Sequence, residues 1–68
     1  MKVVLNGRPR ELCERALVRD AVRASGADET GRGIAVAIDG EVVPRPQWGA
    51  LELRDGQRVE VVRAVQGG

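Results

Sequence analysis

Hydrophobic and polar positions along this chain fall into short segments, and each segment predicts one structural element. The first segment, Lys2–Leu5, is extended and apolar, and Asn6-Gly7 follows it. Asn-Gly is a strong hairpin signal because a type I′ turn needs positive φ at both central positions. Residues 8–13 are expected to return as a second strand, and Pro9 suits an edge strand, where a missing N–H breaks no ladder bond. The chain is therefore predicted to open with a β-hairpin.

At Val18 the spacing of the apolar residues changes from strand-like to helical. One face of the predicted helix carries Val18, Ala21, Val22 and Ser25. These residues occupy helical positions i, i+3, i+4 and i+7, and Gly26 follows as a residue that commonly ends helices. Leu17 occupies the predicted N-cap, where Ser, Thr or Asp is preferred, while Asp20 in the first turn interacts favourably with the helix dipole. A helix with a weak start is expected.

The second half of the chain reads as a second hairpin and a last strand, preceded by a polar loop over 27–33. Residues 34–39 alternate in hydrophobicity, Asp39-Gly40 predicts another tight turn, and Glu41–Val43 is expected to form a short partner strand. The two prolines that follow end this pairing, and a short helical segment is expected there. Trp48 is predicted to cover one end of the core. After a third turn at Asp55-Gly56, a strand is predicted over 58–65.

This order, ββαββ followed by a helical segment and a strand, predicts an α+β fold. We expect a mixed sheet of four to five strands with one main helix across one face, arranged as a β-grasp. In that arrangement the first and last strands are adjacent and parallel at the centre of the sheet. Residues 1–65 are expected to form one domain, and residues 66–68 a flexible C-terminal tail.

Composition and charge exclude several classes of function. Eleven Lys and Arg against ten Asp and Glu give a net charge of +1, and the single Trp is the only aromatic residue. Nucleic-acid binding is not expected without a basic stripe or stacking residues. No apolar run approaches the length needed to span a membrane, which is about 18 residues. With no His and one Cys, we expect neither a metal site nor a disulfide framework, and the lone thiol suits the cytoplasm.

Catalytic side chains are equally scarce, so we expect no catalytic residue and no bound cofactor. Cys13 is the one candidate nucleophile, but a lone Cys in a strand-like stretch is more often a small buried hydrophobe. The notable chemistry lies instead at the end of the chain, in Gly67 and Gly68. A terminal glycine offers a carboxylate without a neighbouring Cβ, on a backbone able to enter a narrow channel. The alternative is a frayed end.

Three motifs in combination carry a resemblance to a known family. They are the Asp39-Gly40 turn, Val43-Pro44-Arg45 with Trp48 three residues on, and the terminal Gly67-Gly68. Together with the length and the opening hairpin, they resemble ThiS, the bacterial thiamine sulfur-carrier family, whose members are β-grasp proteins related in fold to ubiquitin. The family often has Thr where this chain has Leu17, so the helix start departs from the family pattern.

The resemblance implies chemistry at Gly68, carried out by other proteins. An E1-like adenylating enzyme would use ATP to adenylate the Gly68 carboxylate. A sulfur donor, either a cysteine desulfurase or a persulfide protein, would then convert it to a thiocarboxylate. Thiazole synthase would receive the sulfur. Gly67 would provide clearance, and Gln66 would belong to the flexible arm. Alternatives are a sulfur carrier for molybdopterin or cysteine biosynthesis, and a ubiquitin-like interaction module or modifier.

A docking surface for the adenylating enzyme is also expected. If Val3, Leu5, Val59 and Val61 face the helix, alternation places a second set of small or branched residues on the outer face of the sheet. This set is Val4, Ala35, Ala37, Val62 and Ala64. The alternative is that such residues merely suit a β-sheet. Arg45 is interpreted as a solvated loop cation.

Overall fold

The computed structural model describes residues 1–27 and 32–63. The strands are β1 (Lys2–Leu5), β2 (Arg8–Glu11), β3 (Ile34–Ile38), β4 (Glu41–Val43) and β5 (Arg58–Arg63), and the helix α1 spans Val18–Ala24. A short 3₁₀ helix, Arg45–Gln47, follows β4. Most of the predicted polar loop lies outside the described residues. So do the predicted tail residues Gln66, Gly67 and Gly68, the docking residue Ala64, and the predicted boundary between residues 65 and 66.

The five strands form one mixed sheet in the order β2-β1-β5-β3-β4. The first and last strands are adjacent and parallel, with Val4 paired to Arg58 and Leu5 to Val59. All other pairings are antiparallel. The predicted β-grasp arrangement is therefore confirmed. Pro9 lies on edge strand β2, as its missing N–H requires.

The first two of the three predicted turns have the backbone that a two-residue hairpin needs. Asn6 and Gly7 have φ values of 50° and 81°, and Asp39 and Gly40 have values of 49° and 88°. Positive φ at two successive positions matches the right-handed twist of the strands. The two turns lie at the tips of the β1–β2 and β3–β4 hairpins.

The helix covers one face of the sheet, and the core lies between them. The core residues are Val3, Leu5, Val18, Ala21, Val22, Val36, Ile38, Val43, Trp48, Leu53 and Val59. Trp48 is 5% exposed, and its indole N–H donates to the Val43 carbonyl at 2.9 Å. The predicted role of Trp48 as a cover for the core is consistent with this burial. Apart from Trp48, this core is aliphatic, so its stability depends on close packing of branched aliphatic side chains.

The helix starts without a capping side chain at Leu17, and its free N–H groups bond elsewhere. Val18 N–H donates to the Leu51 carbonyl at 3.0 Å, and Arg19 N–H donates to the Trp48 carbonyl at 2.9 Å. The Asp20 carboxylate accepts the Leu17 N–H at 2.8 Å. The first-turn donors that an N-cap side chain would satisfy are thus bonded by the segment after the 3₁₀ helix and by Asp20.

Cys13 was predicted to be a buried residue of the second strand, and this prediction was wrong. β2 ends at Glu11, so Cys13 lies beyond the strand and is exposed. The chain leaves the sheet after Leu12, whose N–H still donates to the Met1 carbonyl at 2.8 Å, and it then turns. Arg15 adopts a φ of 64° in this turn, and Ala16, rather than Cys13, is the residue that becomes buried.

Candidate functional site

The last strand, β5, lies at the centre of the sheet and leads directly to the C-terminal segment. It pairs with β1 on one side and with β3 on the other. On the β3 side the pairing runs from Val59 opposite Ile38 to Arg63 opposite Ile34. The C-terminal segment therefore follows, in sequence, a strand that is paired on both sides.

The outer face of the sheet brings several predicted docking residues together. Ala35 on β3 lies directly opposite Val62 on β5, and Ala37 lies opposite Val42 on β4. Val62 is 56% exposed and Val42 is 74% exposed, whereas Ala37 is half-buried. These four residues form a continuous apolar patch, which we call the outer patch: Ala35, Ala37, Val42 and Val62.

Val4 is separated from the outer patch by charged side chains. It pairs with Arg58, and along β5 the residues that share its face are Arg58, Glu60 and Val62. Glu60 also lies opposite Ala37. The predicted set thus divides into an apolar patch over β5, β3 and β4, and a half-buried Val4 beyond Arg58 and Glu60.

Val42 and Glu60, which flank Ala37 on this face, were missed by sequence reasoning, as was Arg58 beside Val4. All three follow from strand alternation, because Val43 and Val59 are buried core residues and their neighbours must face outward. The missing information was the register. Only the pairing of β4 and β5 with β3 brings Val42 and Glu60 to either side of Ala37.

The other residues considered from the sequence lie apart from this face. Arg45 is exposed in the 3₁₀ helix, as predicted, and Trp48 is a core residue. The Cys13 thiol is free and lies beside a shallow depression that Leu12, Ala16 and Ala24 also line. Within residues 1–27 and 32–63 no three His, Cys, Asp or Glu side chains are grouped as metal ligands. None of the described helices has the length and apolar character needed to cross a bilayer.

The clearest electrostatic feature is the α-amino group of Met1. It donates to the Leu12 carbonyl at 2.9 Å and lies 3.0 Å from a Glu14 carboxylate oxygen and 3.7 Å from one of Glu11. The hydrogen bond to Glu14, supported by the nearby negative charges, raises the pKa of this amine above its ordinary value of 8.0, and partial burial opposes the shift. This group ties the start of β1 to the end of β2.

Comparison with known proteins agrees with the fold and the C-terminal sequence. The crystal structure of a thiamine biosynthesis protein (ThiS) from Geobacter metallireducens superposes with a TM-score of 0.80 at 27% identity, covering 100% of both chains. An NMR solution structure of a thiamine biosynthesis protein from the same organism gives a TM-score of 0.78 at 27% identity, covering 100% of this chain and 88% of the other. A search of curated proteins finds no significant match. The ThiS family model matches residues 3–68, through the terminal Gly67 and Gly68. This chain belongs to the ThiS family.

Proposed function

We propose that this chain is a sulfur carrier protein of thiamine biosynthesis, with the Gly68 carboxylate as the group that carries sulfur. The observation that supports this most strongly is the family match, which extends to the last residue of the chain. The fold is consistent with it, because the strand that precedes the C-terminal segment lies at the sheet centre. A rigid domain would then present a short arm, and three extended residues reach roughly 10 Å.

The proposed reaction has three bond-making steps. The Gly68 carboxylate attacks the α-phosphorus of ATP in an E1-like adenylating enzyme, and pyrophosphate leaves as the acyl adenylate forms. The terminal sulfur of a persulfide, on a cysteine desulfurase or a persulfide protein, attacks the carbonyl carbon and displaces AMP. A second thiol then cleaves the resulting acyl disulfide, which leaves the thiocarboxylate and a disulfide between the two thiols. Thiazole synthase receives this sulfur.

In this proposal the chain is a protein co-substrate and not an enzyme. A carboxylate is ionised at neutral pH and is a poor electrophile, so its activation is left to the partner and its ATP. Gly67 supplies clearance in the partner's channel because it has no Cβ, and Gln66 belongs to the arm. We place the reaction in the cytoplasm, where the exposed thiol of Cys13 would stay reduced.

We further propose that the outer face of the sheet docks on the adenylating enzyme. The docking residues would be Val4, Ala35, Ala37, Val62 and Ala64, together with Val42. Support comes from the exposure of Val42 and Val62, two branched apolar side chains on one face. These residues lie on β4 and β5, and both strands pair with β3. The backbone hydrogen bonds to β3 therefore fix the shape of the surface that they present.

Deletion of Gly68 tests the proposed site of activation. The shortened chain still ends in a glycine carboxylate, but its reach is reduced by about 3.5 Å. We expect the deletion to abolish release of pyrophosphate from ATP by the adenylating enzyme, and to leave the thermal midpoint unchanged because no described core residue is removed. Undiminished pyrophosphate release by the shortened chain would contradict Gly68 as the activated residue.

A further inference from the structure

Strand β5 is held near both of its ends by side chains from the two hairpin turns. At its start, the Arg58 N–H donates to Oδ1 of Asp39 at 2.9 Å. Towards its end, the Val61 N–H donates to Oδ1 of Asn6 at 2.8 Å. Asn6 and Asp39 each occupy the first central position of a two-residue turn with positive φ. In both contacts, a side-chain oxygen from a hairpin turn accepts a backbone N–H of β5, one near the start of the strand and one towards its end.

The contact from Asn6 lies just beyond the point where the pairing of β1 with β5 ends. β1 pairs with β5 only through Val4 and Leu5, and the Asn6 N–H then donates to the Val59 carbonyl at 2.9 Å. Beyond this point the backbone of β1 turns away into the hairpin. The next β5 N–H group on this side belongs to Val61. It donates to Oδ1 of the Asn6 side chain, where a longer β1 strand would offer a backbone carbonyl. Asn6 thus extends the β1–β5 ladder by one bond.

We propose that Asn6 is a positioning residue, which fixes the direction in which the chain leaves β5 toward Gly68. The inference rests on the proposed function in the sense that the arm must enter a partner's active site. Without the Asn6 contact, the described end of β5 would be paired on the β3 side alone, through Val62 opposite Ala35 and Arg63 opposite Ile34. A tail that starts from a less defined point reaches the reacting geometry less often, and small misplacements lower rates strongly.

The chemistry of Asn explains why this position needs more than a turn residue. Gly would accept the positive φ of 50°, yet it has no acceptor to offer Val61. Asp tolerates the left-handed region, as Asn does, and also carries a carboxylate oxygen at the same branch. Asn6→Gly therefore removes the contact and keeps the turn, and Asn6→Asp keeps both.

The chain supplies its own matched control in Asp39→Gly. This substitution also places Gly at a positive-φ turn position and also removes one side-chain acceptor from a β5 N–H, but at the end of the strand remote from the tail. Three readouts are compared on full-length chains. They are amide hydrogen exchange at Val61 and Arg58, backbone ¹⁵N relaxation at Val62 and Arg63, and steady-state adenylation with the carrier as the varied substrate.

We expect Asn6→Gly to speed exchange at Val61, to lower the backbone order at Arg63, and to lower kcat by about three- to tenfold, the worth of one hydrogen bond. KM should stay within about twofold, because the outer patch is unchanged. Asp39→Gly should speed exchange at Arg58 and leave kcat within about twofold of the native chain. Asn6→Asp should restore kcat.

Equal effects of Asn6→Gly and Asp39→Gly on kcat would overturn the proposal, because they would show loss of stability alone. An unchanged kcat in Asn6→Gly would also overturn it. If the native chain is not adenylated at all, the proposed function fails separately. The relaxation data then decide on positioning, and undiminished order at Arg63 in Asn6→Gly would refute it.

Discussion

At the scale of single residues, short polar side chains complete the backbone hydrogen bonding where strands and helices stop. Asn6 and Asp39 do so for β5, and Asp55 accepts the Lys2 N–H at 2.8 Å at the start of β1. Asn and Asp are suited to this because they accept hydrogen bonds close to their own backbone and tolerate turn conformations. The same residues that form the turns therefore also fasten the neighbouring strands.

The sequence predicted the first of these roles and not the second. Asn6-Gly7 and Asp39-Gly40 are recognisable as turns from neighbouring residues alone. Their bonds to Val61 and Arg58 depend on which strand lies beside the turn. That information is non-local, since the bonded residues are 55 and 19 positions apart.

The α-amino group of Met1 gives a prediction about pH. Its pKa is raised in the folded chain, chiefly by the hydrogen bond to Glu14, so the charged form is favoured by folding. The resulting stabilisation is fully present below the unfolded pKa of about 8 and is lost as pH rises through the higher folded value. For the chain with a free α-amino group, the thermal midpoint should fall as the pH rises above about 8.

Glu14→Gln is the variant that isolates this effect. It keeps a polar side chain but removes the negative charge that lies 3.0 Å from the amine. We expect its thermal midpoint to depend less on pH over the same alkaline range, with the two chains converging at high pH. An identical pH dependence in both chains would show that the Met1–Glu14 contact does not contribute.

At the scale of elements, helix α1 shows how a poor local signal is compensated by tertiary contacts. Leu17 cannot cap the helix with its side chain, yet Val18 and Arg19 donate to carbonyls of Leu51 and Trp48. Trp48 is itself a core residue. The helix start therefore depends on the chain between the 3₁₀ helix and β5 being in place.

Asp20→Ala should weaken this start. Its carboxylate accepts the Leu17 N–H at 2.8 Å and lies in the first turn, next to the positive end of the helix dipole. Loss of such a contact costs about 1 kcal/mol, which for a domain of this size lowers the thermal midpoint by about 4–8 °C. Asp20→Asn separates the two contributions, since it keeps an acceptor without the charge. A midpoint unchanged in Asp20→Ala would mean that the backbone contacts alone suffice.

The elements themselves were largely predictable, whereas their arrangement was only partly so. Alternation over residues 34–39 predicted the strand Ile34–Ile38, and helical spacing from Val18 to Ser25 predicted the helix Val18–Ala24, because each pattern records which side chains face the core. The turn at Arg15 was not foreseen, since Arg is an unusual residue for a φ of 64°. The burial of Ala16 in place of Cys13 follows from that turn.

At the scale of the whole molecule, the two faces of the sheet differ in burial. The helix covers one side of the sheet, and the outer patch remains accessible on the other. Alternation predicted which residues lie on the outer face. The interruption by Arg58 and Glu60 and the contribution of Val42 required the strand order, which periodicity does not contain.

Val62→Asp tests the proposed docking face. A charge within the outer patch should abolish activation of the tail by the adenylating enzyme, because the charge would have to be buried against an apolar surface. Val62 is 56% exposed, so the thermal midpoint should fall by only a few degrees. Leu51→Asp is the matched control, since Leu51 is 41% exposed and lies outside the sheet. Full activation of Val62→Asp, or equal loss in both variants, would contradict docking through this face.

The most direct test of the central claim is intact-mass spectrometry of the chain after incubation with ATP, the adenylating enzyme, a cysteine desulfurase and cysteine. We predict a mass gain equal to the replacement of one oxygen by sulfur, located at Gly68, absent without ATP, and retained in Cys13→Ser. An unchanged mass in the presence of a demonstrably active partner would contradict the sulfur-carrier account. Conjugates larger than the free chain would point instead to a protein modifier.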